Sequence, residues 1–198
     1  AASSPAASVR LMRSGSRKLM RRVRWLTSSA ATNVLGAAST VLSQQRKVID
    51  QLDAQQYTTP SPLTQSSIGG HVRHSLDHFR FLVDAGGKIV DYDTRSRGTA
   101  VETDPTVASA EIDALCDLFC ELPEEQWDRD LRCSFMMSGD GDRHEFDSNM
   151  KRELFFCTHH AIHHNALIKI IASELGLSHV CPPDMGMAPS TLNFHCDS

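Results

Sequence analysis

The chain has 198 residues, 40% of them hydrophobic and 22% charged, enough for one globular domain with its own core and no need of disulfides. No apolar run approaches the ~18 residues of a membrane span, so a membrane is not an expected partner. The net charge of −4 hides an asymmetry: residues 1–49 carry nine Lys or Arg and no acid, and the remainder carries eleven basic against twenty-four acidic residues, a formal −13. An acidic body argues against nucleic-acid binding.

Residues 1–32 form an Ala-, Ser- and Arg-rich segment in which Arg10, Arg13, Arg17, Lys18, Arg21, Arg22 and Arg24 alternate with Leu11, Leu19, Met20, Val23 and Leu26. Acid-free amphipathic segments of this kind serve as organelle transit peptides, and a disordered basic tail is the alternative. The expected location is therefore intracellular: cytoplasmic, or mitochondrial or plastid if residues 1–30 act in transit. A globular domain is expected over 33–192, with 193–198 as a tail.

Val34, Leu35, Ala38, Val41, Leu42, Val48, Ile49 and Leu52 recur at helical spacing and predict a first helix over 33–54. It stops before Thr58-Thr59-Pro60-Ser61-Pro62, because proline cannot continue the hydrogen-bond ladder. A second helix is predicted over about 66–85. One stripe is Ile68, Val72, Ser75, Phe79 and Val83; a neighbouring stripe is His71, His74, His78 and Leu82; Gly86-Gly87 closes it.

Residues 86–104 read as a long polar crossover containing Asp91-Tyr92-Asp93 and Arg95-Ser96-Arg97. Asp104-Pro105 predicts a helix start, with Asp as cap and Pro in the first turn. Ala108, Ile112, Leu115, Phe119 and Leu122 then mark a third helix. Weak alternation around 130–148, interrupted by Ser138-Gly139-Asp140-Gly141-Asp142, suggests a small β-hairpin. A fourth helix is predicted over 149–175, ended by Gly176. The expected fold class is all-α: a four-helix bundle with one long crossover and a hairpin before the last helix. The six cysteines, at 116, 120, 133, 157, 181 and 196, are read as reduced thiols, most acting as small hydrophobes.

The residues that carry chemistry are histidines. Cys157-Thr158-His159-His160-Ala161-Ile162-His163-His164-Asn165 places four of them in an apolar helix. His160 and His164 share a face with Phe156, Leu167 and Ile171, and residues four apart on a helix can reach one ion. His159 with His163 satisfies the same spacing, and spacing alone does not separate the pairs. A single buried histidine is usually just hydrogen-bonded core. A pair opposite a second His-rich helix favours a metal, and imidazole suits zinc, nickel or iron.

The stretch Ser67-Ile68-Gly69-Gly70-His71-Val72-Arg73-His74-Ser75-Leu76-Asp77-His78, followed much later by His160-Ala161-Ile162-His163-His164, resembles the DinB/YfiT-like superfamily. Arg152-Glu153-Leu154-Phe155-Phe156 and Asp184-Met185-Gly186-Met187-Ala188-Pro189-Ser190-Thr191 extend the resemblance over roughly 35–192. It implies an up-down-down-up bundle and one divalent metal ion on His74, His160 and His164. It also implies a metal-dependent transferase that activates a small thiol for attack on an electrophile. The alternatives are a metal-dependent hydrolase and a non-catalytic, stress-linked metal-binding bundle.

Asp77, His78, His163 and Asn165 are candidates for supporting the ligands from behind. Cys157, three residues before His160, has the option of approaching the ion. Arg95 and Arg97 have that of holding a substrate carboxylate. Expected partners are the thiol and its electrophile, with a homodimer as a further option.

Overall fold

The computed structural model describes residues 31–86, 89–94 and 96–196. The basic segment 1–30 and Arg95 lie outside them. The described residues form seven α-helices and one three-stranded sheet. The expectation of an all-α four-helix bundle is corrected: a mixed sheet is built into the domain. The crossover contributes a strand to it, because Val90 and Tyr92 are apolar enough to be buried among its polar neighbours.

Helix α1, Ala31–Ile49, ends five residues before the predicted limit. Asp53 then caps a separate short helix α2, Ala54–Thr58, in a reciprocal capping box with Gln56. Helix α3, Ile68–Asp84, starts where the Ser67 hydroxyl accepts from the Gly70 amide. After strand β1, Val90–Asp91, and the short helix α4, Ala100–Thr103, helix α5 runs from Pro105 to Glu121. The Asp104 carboxylate caps α5 at Thr106 and Val107.

Strands β2, Asp130–Met136, and β3, Arg143–Asn149, pair antiparallel, with Cys133 opposite Phe146. β1 pairs parallel to β2, with Val90 opposite Cys133, so β2 is central. Asn149 ends β3 and at once caps helix α6, Met150–Glu174. Helix α7, Pro189–Cys196, closes the described chain. No helix among the described residues is long and apolar enough to cross a membrane.

Helix α6 packs on α1 and α3, and α5 packs on the same two helices. Val41, Leu42, Ile68, Val72, Phe79, Leu115, Phe119, Leu154 and Ile168 are among the core residues, and Phe79 meets Phe119 edge to face. α1 adds polar ties. Gln45 donates to the Ser75 hydroxyl at 2.9 Å, and Asn165 of α6 donates to Gln44 at 3.2 Å.

Gly69 is required by a close approach. A Cβ there would lie 2.1 Å from the Glu102 carbonyl oxygen and 2.7 Å from the Tyr57 ring. Backbone cannot swing aside as a flexible side chain can. Gly69→Ala is expected to cost about 1–3 kcal/mol, seen as a lower urea midpoint at unchanged m-value.

Candidate functional site

Helices α3 and α6 bring together His74, His160 and His164. His160 Nε2 lies 3.2 Å from His74 Nε2 and 3.0 Å from His164 Nε2, and one ring nitrogen from each residue falls within 4.8 Å of the others. His164 is buried; His74 and His160 are half-buried. His159 and His163, equal candidates by spacing, are exposed. The reason is the helical turn: Leu154, Cys157, Ala161, His164 and Ile168 lie on the buried face of α6, and 159 and 163 fall on the other side.

Burial pushes the His164 imidazole down to about 2, and the neighbouring His160, His74, His71 and His163 push the same way. His71 is lowered too, first by burial and then by His163 and Arg73. Both rings are therefore neutral near pH 7, and neutral rings offer lone pairs. His160 Nε2 faces two other nitrogens, yet one N–H has a single proton to place between them. A cation between them would resolve this crowding. Ring nitrogens bound at 2.0–2.1 Å to one ion lie about 2.9 Å apart in octahedral and about 3.3 Å apart in tetrahedral geometry, and the two measured separations fall in that interval.

Lowered folded-state values predict a pH dependence in the metal-free protein. The unfolded chain takes up protons on these two imidazoles below the ordinary value of 6.5, and the folded chain does so only at lower pH. Stability is fully present above that pH and falls as pH drops towards the folded values. The slope is at most about 1.4 kcal/mol per pH unit for each group. Urea unfolding in chelator between about pH 7.5 and pH 5 reads it, and a flat profile refutes it.

The remaining predicted residues are placed differently from one another. His78 donates from Nδ1 to the His74 carbonyl, 2.9 Å away, and stacks between Tyr92 and His160, with ring centroids at 5.1 and 3.9 Å. Asp77, expected behind a ligand, instead bonds Arg73 one turn back at 3.1 Å. Asn165 faces α1, where it bonds the Val41 carbonyl and Gln44. Cys157 is buried against the His78 carbonyl and the Tyr92 hydroxyl, and burial pushes its thiol up, so it is an inert core thiol. Arg97 is exposed.

The sequence reading missed the polar network beneath the histidines. Glu153 is fully buried. Its carboxylate accepts from the Tyr92 hydroxyl at 2.9 Å, the Ser148 hydroxyl at 2.5 Å and Arg152 at 2.9 Å, and the Cys133 thiol approaches at 3.8 Å. Burial, reinforced by Glu153, pushes the Cys133 thiol up to about 11. The available signal was one acid on the apolar face of α6. Next to this network lies a cavity of about 480 Å³, lined by Cys133, Phe135, Met137, Phe146, Arg152 and Glu153, among others.

No family model matches the chain, and no solved structure matches it. Among curated proteins there is a similar one. It is FK506-binding protein 5 of Rhizopus delemar, 39% identical over 105 residues. The match covers 52% of this chain and 27% of that protein, so the chain spans about a quarter of the relative's length. These findings overturn the resemblance to the DinB/YfiT-like superfamily: the relative carries an FK506-binding name, and no family model supports the other kinship. The thiol-transferase function drawn from that resemblance falls with it, as do its hydrolase and stress-linked bundle alternatives. The juxtaposition of three imidazoles is independent of any kinship.

Proposed function

We propose that the chain holds one divalent metal ion between His74, His160 and His164. The observation that carries this reading is the approach of three ring nitrogens, two of the separations being 3.0 and 3.2 Å, on residues held neutral or half-buried between two helices. Three neutral nitrogen donors suit zinc, nickel or iron and leave a coordination position for a further ligand. An ion there would act as a Lewis acid towards whatever donor atom fills that position. The chain's own residues do the positioning: α6 supplies two donors one turn apart, α3 supplies the third, and His78 and Phe156 pack their rings against His160. Elemental analysis of protein purified without added metal tests it. About one ion per chain is expected, and none after reconstitution with zinc, nickel or ferrous iron refutes it.

A second reading, binding of FK506 itself, is favoured by the 39% identity to the relative that bears that name. The cavity of about 480 Å³ beside Phe135 and Phe146 lies in the size range of small-molecule sites. Calorimetric titration with FK506 tests it, with a prolyl cis/trans isomerisation assay as the enzymatic readout. Phe146→Ala is expected to weaken binding about tenfold or more, and absence of heat at high micromolar FK506 refutes this reading.

A further inference from the structure

The Nδ1 atoms of His71 and His164 lie 3.0 Å apart, between two rings that are 8% and 6% exposed. That separation is a hydrogen bond, so one proton lies on the line and one nitrogen accepts it. Two arrangements satisfy it. In the first, His164 donates from Nδ1, and its Nε2 presents a lone pair towards His160 and His74. In the second, His71 donates, and His164 carries its proton on Nε2, where it points at His160 Nε2 and blocks an ion.

We propose that His71 is a positioning residue that accepts the Nδ1–H of His164 and so holds the His164 Nε2 lone pair ready for the metal; this rests on the metal reading above. In that arrangement His71 carries its own proton on Nε2, a buried atom with no hydrogen-bond partner among the described residues. With that proton on Nε2, the Nδ1 of His71 keeps a lone pair and accepts from His164. The geometry needs both helices. His71 sits one turn before His74 on α3, and it reaches across to α6 at His164 rather than to its own helix neighbour. An acceptor behind a metal-bound imidazole fixes the tautomer and raises the basicity of the donor nitrogen.

His71→Phe keeps a ring of similar bulk and removes the acceptor. His71→Gln restores one, because an amide oxygen can take the Nδ1–H. Zinc dissociation constants from chelator competition are expected to weaken about 10–100-fold in His71→Phe and to recover most of that loss in His71→Gln. In the zinc-loaded wild type, two-bond 15N–1H correlations are expected to place the His164 proton on Nδ1 and the His71 proton on Nε2. This readout needs no variant, so it stands even if a substitution disturbs folding. Zinc affinity in His71→Phe within about twofold of wild type, or a His71 proton found on Nδ1, overturns this inference alone. A wild type that takes up no zinc overturns the metal reading and this inference together.

Discussion

His160→Ala and His164→Ala are each expected to abolish metal binding, taking occupancy from about one ion per chain to less than about a tenth at micromolar metal. Each replaces one of three donors by a methyl group, and two imidazoles hold a divalent ion far more weakly against water than three. His74→Ala is expected to act alike from the opposite helix. The controls are His159→Ala and His163→Ala, whose rings are exposed on the far side of α6 and should leave occupancy unchanged. The comparison is internal to one helix, so loss of folding is separable by circular dichroism. Removing His164 also removes its share of the acid sensitivity described above and leaves that of His71. His164→Ala should therefore reduce the slope of the stability profile below the ordinary imidazole value while costing metal. Equal occupancy across all five variants would disprove the assignment.

Glu153→Ala is expected to be the most destabilising single change in the polar interior, about 3–5 kcal/mol. The Tyr92 hydroxyl and the Ser148 hydroxyl both lose their acceptor, and the Tyr92 side chain is almost fully buried. Arg152 does not add to the cost in the same way, since its side chain is 57% exposed and can turn to water. A cavity is left as well, between the sheet and α6. Tyr92→Phe tests the pairing from the other side: it removes one donor and leaves Glu153 three others, so about 1 kcal/mol is expected.

The effect should reach the histidines. Tyr92 stacks on His78 and His78 on His160, so loosening Tyr92 removes packing behind a proposed ligand. Urea unfolding gives the stability, and zinc competition gives the coupling. A loss below about 1 kcal/mol in Glu153→Ala would show that the network is dispensable.

Much of the local structure was legible. Asp104-Pro105 marks the start of α5 because a carboxylate can cap two free amides and proline tolerates the first turn. Apolar spacing located α3 and α6 to within two residues at each end. The apolar period overshoots the end of α1, because Leu52 keeps the period while Asp53 ends the segment by capping the next helix. The strand in the crossover is not legible, because two-residue β1 is too short to show alternation and its pairing with β2 comes from a segment some forty residues away. The resemblance to a known superfamily misled on kinship and function, since short histidine-rich phrases recur wherever a helix pair can gather imidazoles.

By itself the sequence determined where helices begin, which faces are apolar, and that histidines four apart on one helix have a His-rich counterpart far upstream. Those properties follow from backbone geometry within a turn or two. Only the tertiary structure decided that His160 and His164, and not His159 and His163, turn inward to meet His74. It likewise decided that His71 lies behind His164, and that Glu153 is surrounded by donors from the crossover, both strands of the hairpin and its own helix. Each of these depends on which face of α6 is covered by α1 and α3, and a rotation of one helix by a third of a turn would undo them all while leaving every local signal in place.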